Sequence, residues 1–152
     1  MKTLINGGLK MLRKSIGIIL FMASFAVFAL QQESDFKAPE GPGVYIISPI
    51  DGSTVAQTFT VKFGLHGMGI APSGIDRENT GHHHLLIDTS VLPDMAKPLQ
   101  ATDKIIHFGG GQTETKVTLS PGKHTLQLLL GNYMHVPHDQ PLMSQKITVL
   151  VE

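Results

Sequence analysis

The sequence predicts an all-β domain, an antiparallel immunoglobulin-like β-sandwich of about seven strands, following an N-terminal signal peptide. Three observations carry that expectation. Between Thr58 and Leu65, Phe59, Val61, Phe63 and Leu65 alternate strictly with Thr58, Thr60, Lys62 and Gly64, the period-two pattern of a strand with one buried face. Short apolar runs are separated throughout by turn residues such as Asp51-Gly52, Gly109-Gly110-Gly111 and Ser120-Pro121-Gly122. No window after residue 30 carries a helical period with caps, so short strands joined by turns remain.

The elements follow in order. Lys2, Lys10, Arg13 and Lys14 precede an apolar run from Ile16 to Leu30, and Gln31, Gln32 and Glu33 then break it. Basic, apolar, polar is the order of a secretory signal peptide. Cleavage is expected after Ala29, giving a signal over 1–29; Met11 would also start a complete signal. The apolar run is shorter than the roughly 20 residues that span a bilayer, and no cysteine follows it to take a lipid. Residues 30–43 read as a flexible Pro/Gly lead-in, and 44–152 as one sandwich domain. Its strands are expected at Val44–Ser48, Thr58–Leu65, His82–Asp88, Lys104–Phe108, Thr115–Leu119, His124–Leu130 and Lys146–Val151.

Charge and cysteine usage exclude several functions. Four of the 12 basic residues lie in the signal, which leaves eight against 12 acidic ones, a net charge of −4 on the mature chain. That balance argues against a nucleic-acid partner, which needs a basic face. With no cysteine, disulfide frameworks and thiolate metal sites are excluded. The glycine triplet lacks the Lys-Ser/Thr of a phosphate loop, and no serine has the setting of an activated nucleophile. The expected location is the periplasm or the exterior, with no membrane attachment after cleavage.

All eight histidines lie beyond the signal. In the triplet His82-His83-His84, strand alternation puts His82 and His84 on one face, about 6.5–7 Å apart, where both can reach one ion. His83 shares its face with Leu85 and Ile87 and is the expected buried member, while Asp88 falls on the His82/His84 face and could orient a ligand. His135 and His138 flank Val136-Pro137, whose proline stiffens the loop, and Met134 beside them is a soft donor. Met68 stands two residues after His66; His107 precedes the glycine triplet; His124 follows a Pro-Gly turn. Met95 and Met143 read as packing residues. Imidazole with thioether is the ligand set for copper outside the cytoplasm, and imidazole with carboxylate suits zinc or iron. The expected metal set is therefore His82, His84 and His124, joined by His107, His135 or His138, with Met134 or Met68 as further donors.

Three segments together resemble a known family: Gly81-His82-His83-His84-Leu85-Leu86-Ile87-Asp88, His107-Phe108-Gly109-Gly110-Gly111-Gln112-Thr113-Glu114, and Leu119-Ser120-Pro121-Gly122-Lys123-His124-Thr125-Leu126-Gln127-Leu128. They look like the bacterial exported family of domain of unknown function 4399, as do Gly64–Gly74 and the His135-x-x-His138 loop. The resemblance implies an exported bacterial domain and no established activity. A fainter resemblance is to cupins, in which His82, His84, Asp88 and His124 would stand at the metal positions, with Asp in place of the usual Glu.

Three functions follow as expectations. The first is an exported binding domain that holds a copper or zinc ion for buffering or delivery. The second is a metal-free module that binds a small ligand or partner. The third is a cupin-like metalloenzyme.

Overall fold

A computed structural model describes residues 41–152; the expected signal peptide, its cleavage point and most of the lead-in fall outside the described residues. Nine strands are formed: β1 (Gly43–Ser48), β2 (Thr54–Val55), β3 (Thr58–His66), β4 (Gly69–Ile70), β5 (Thr80–Ile87), β6 (Ile105–His107), β7 (Glu114–Thr118), β8 (Gly122–Gly131) and β9 (Ile147–Val151). There is no helix among the described residues. Seven of the strands fall on the seven expected runs. The two additional ones, β2 and β4, are two residues long and lie on segments with no alternating pattern.

The strands form two sheets, one of three strands in the order β1-β3-β7 and one of six in the order β2-β9-β8-β5-β4, with β6 also on β5. Pairing is antiparallel except for the short β2–β9 and β4–β5 ladders. On β3 the alternation buries Val61 and Phe63 and leaves Lys62 in water. These residues, with Val44 and Val117, meet Leu85, Ile87, Leu126, Leu128, Ile147, Val149 and Val151 of the larger sheet. Apolar side chains of both sheets thus fill one shared layer, the defining feature of a sandwich. His83 lies in this layer, its ring 5.2 Å from that of Phe63.

The outer face of the larger sheet is covered as well. Leu86 of β5, Ile105 of β6 and Leu129 of β8 form a second apolar cluster with Leu99, and Met95 and Met143 pack against it. Loop residues from 95–99 and from Met143 therefore roof a surface that an antiparallel sandwich commonly leaves wet. Both faces of β5 are consequently buried from Gly81 to Ile87. His83 is on the inner face with Leu85 and Ile87, as the alternation requires, yet His82 and His84 on the outer face are equally buried.

Candidate metal centre

The outer face of β5 builds the site. His82 and His84 project from it side by side, their ring centres 5.0 Å apart. Antiparallel pairing sets His107 of β6 directly opposite His84, so its ring joins the same face, 5.1 Å from His84 and 5.0 Å from His82. His135 enters from the loop after β8, 5.0 Å from His82 and 4.5 Å from His107.

That loop is held by its own backbone. The Asn132 side-chain oxygen accepts hydrogen bonds from the amides of Met134 and Val136, and the Asn132 carbonyl accepts one from the His135 amide. The His135 carbonyl in turn accepts from Leu99 of the roof at 2.9 Å. His135 sits at φ +67°, a left-handed conformation that costs a side-chain-bearing residue energy and persists where its surroundings over-determine it.

Two glycines clear the space. A Cβ on Gly131 would stand 2.8 Å from Cε1 of His84, and one on Gly109 would collide with the His107 ring and lie 2.9 Å from Oγ of Ser73. Any larger residue at either position would displace an imidazole.

One nitrogen each from His82, His107 and His135 lies within 4.8 Å of the other two, a spacing that fits three ligands of one ion. Both nitrogens of His82 and of His84, and Nε2 of His107, are buried without a hydrogen-bond partner. An unpaired buried polar atom costs about 1–3 kcal/mol. Burial also makes the charged ring unfavourable, and a positive charge on any neighbouring histidine would add repulsion. These effects lower the pKa of His82 to about 4 and that of His84 to about 3, and they lower that of His107 as well. At neutral pH these three rings carry free lone pairs, the form a metal requires.

Other expected ligands lie elsewhere. His124 does not join His82 and His84. In the β5–β8 register His82 faces Gly131 and Ile87 faces Leu126, so His124 is seven residues, about 23 Å, toward the opposite end, and on the inner rather than the outer face. There its Nδ1 bonds Oδ2 of Asp88 at 2.6 Å and its Nε2 bonds the Ser120 carbonyl at 2.8 Å. Asp88 therefore does not orient His82 or His84; it leaves the strand at φ +50° and accepts from His124 and from the Thr125 amide. The four positions that the cupin likeness would use are thereby split between two ends of the sheet. His138 and Met68 line a separate cleft with Asn79 and Leu142, and Met134 is half exposed. Met95 and Met143 pack in the roof. The supporting residues Gly109, Gly131 and Asn132 went unassigned in the sequence, although a glycine close after a histidine or a strand end is a visible cue.

A family model described as domain of unknown function (DUF4399) matches residues 61–152. The chain belongs to this family. The match takes in every histidine of the DUF4399 domain discussed above. No curated protein matches the chain. Among solved structures, it is similar to the endo-β-1,4-mannanase from Thermotoga petrophila, at 15% identity and a TM-score of 0.45 over 80% of this chain and 21% of that one. It is also similar to fibronectin(III)-like modules of Clostridium thermocellum CbhA, at 12% identity and a TM-score of 0.38 over 76% and 47% of the two chains. The DUF4399 chain thus spans about a fifth and about half of these two proteins.

Proposed function

We propose that this domain is an exported module that binds a transition-metal ion, copper or zinc, for buffering or delivery outside the cytoplasm. One observation carries the reading: three imidazoles converge within 4.8 Å, and ring nitrogens of His82 and His107 are buried with no partner. Imidazole nitrogens are ligands of choice for copper and zinc, and coordination would satisfy atoms that otherwise cost stability. The N-terminal basic-apolar-polar pattern supports export, where such ions are handled.

The test is titration of tag-free mature protein with each metal, followed by metal analysis after desalting. One ion per chain is expected, with affinity falling at least 100-fold in His82→Ala/His107→Ala. Wild-type protein that retains neither metal would overturn the reading.

A further inference from the structure

We propose that His84 is a fourth ligand, closing the site into a tetrahedral all-imidazole cage selective for cuprous copper. This inference rests on the metal-binding reading above and extends it to coordination number and ion charge.

His84 is fully buried and neither of its ring nitrogens has a partner; inner-face His83 shares that state, but its ring lies against Phe63, whereas the His84 ring lies among three other imidazoles. As a mere packing residue it would be a poor choice, because a leucine would fill the same space without two unsatisfied polar atoms. The space around it is shaped for a ring: Gly131 stands where any side chain would meet Cε1. Only His82, His107 and His135 already present nitrogens within 4.8 Å of one another, but the four ring centres have about the mutual spacing that a tetrahedral set needs once the His84 nitrogen closes in. A nitrogen about 2.0 Å from an ion places its ring centre about 3.2 Å away, and four such centres in a tetrahedron stand about 5.2 Å apart. The six separations among His82, His84, His107 and His135 run from 4.5 to 6.1 Å and centre on about 5.1 Å. The longest, His84 to His135, is the one that must shorten on binding. Since His135 lies in a loop and His84 in a central strand, the loop supplies the movement.

Charge selects the ion. Among the described residues, the groups that could reach an ion here are imidazoles and no carboxylate joins them, so no fixed negative charge offsets a cation. The cost of burying an ion grows with the square of its charge, so a divalent ion is penalised about four times as heavily as a monovalent one. A tetrahedron of imidazoles fits both d10 ions, cuprous copper and zinc, and the absence of any anionic ligand favours the monovalent one. Cupric copper prefers a flattened, tetragonal set, and zinc brings twice the charge. A site without an open position holds and hands over an ion and has no place for a substrate.

The test uses full-length mature protein without a tag. Cuprous ion is titrated anaerobically against a chromophoric cuprous chelator, zinc against a zinc indicator, and the loaded wild type is studied by X-ray absorption. The expected result is one copper per chain with four nitrogen neighbours and no sulfur, bound at least 100-fold more tightly than zinc. His84→Gln should reduce the count to three and weaken binding about 100-fold. Gly131→Ala, which keeps all four imidazoles and displaces one, should weaken it about 10-fold or more. The wild-type coordination number needs no variant to fold. Three nitrogens in the wild type, or unchanged affinity in a folded His84→Gln, overturns the fourth ligand. Zinc bound as tightly as cuprous ion overturns the charge selection. Failure of both ions to bind refutes the metal site as a whole and is distinct from either of those results.

Discussion

The two ends of the β5–β8 ladder hold histidines in opposite states. At one end His82 and His84 are buried among other imidazoles, with no acceptor, and are kept neutral. At the other, His124 is flanked by the Asp88 carboxylate and the Ser120 carbonyl. Both of those are acceptors, so the doubly protonated, positively charged ring satisfies both and is favoured over the neutral one. The hydrogen bond to Asp88 is the chief cause of its raised pKa, outweighing partial burial. Residue type is the same at both ends; the presence of an acceptor decides whether the ring serves as a lone-pair donor or as half of an ion pair.

Acid should separate the two ends most strongly. The folded-state pKa values of about 4 and 3 at His82 and His84 lie below the 6.5 of an unfolded histidine. The unfolded chain therefore binds more protons as pH falls below 6.5. Each of these groups contributes stability that is present above 6.5 and lost down to about 4 or 3, at up to about 1.4 kcal/mol per pH unit. Urea unfolding of chelator-treated protein at stepped pH should show a loss of several kcal/mol between pH 6.5 and 4.5. A flat profile would mean that these rings are not buried neutral.

Gly109→Ala is the next effect in size. It should leave the domain folded and lower metal affinity about 10–100-fold by moving His107, as loss of a ligand's support commonly does. Calorimetric titration beside wild type measures it, and equal affinity would show that the ring relaxes freely.

At the other end, Asp88→Asn should cost about 1–2 kcal/mol, the lower part of the range for a charged hydrogen bond because Asp88 is partly exposed. The Asp88 carboxyl is itself held below its ordinary range: burial opposes the charge, but the bonds from the Thr125 amide and His124 outweigh it. Chemical denaturation at pH 6 reads the cost. His124 has a raised pKa, so its contribution is complete below 6.5 and fades as pH rises through the folded value; the Asp88→Asn penalty should shrink toward pH 9. Affinity for metal should not change in this variant, and a change would join the two ends.

The smallest effect is spectroscopic. Nitrogen-15 NMR at pH 6.5 should show His124 predominantly in its doubly protonated form, while His82 and His84 appear as neutral rings. A neutral His124 would remove the contrast.

Much of this was legible in the sequence. The alternation on β3 and β8 and the turn residues between runs were enough for seven strands, because those signals are local. The two-residue strands β2 and β4 were not, since each exists only by pairing with a distant partner, Leu150–Val151 and Thr80–Gly81. His82 and His84 on one face followed from period two. That His124 is remote from them did not, because strand register is a tertiary property: the same β8 pairs Gly131, and not residue 124, with His82. The burial of His82 and His84 was also hidden, because the rings packed against them, His107 and His135, are brought there by strand register and by a loop.

The bond from the Leu99 amide to the His135 carbonyl links the roof to the site. The His135 backbone cannot move outward without stripping Leu99 of its acceptor and loosening a buried leucine from its cluster. Outward movement of the backbone at His135 and release of Leu99 from its cluster are therefore coupled through one backbone hydrogen bond. For an ion held as proposed, retention time and affinity would thus be separable, and a substitution at Leu99 would change the first while leaving the four imidazoles in place.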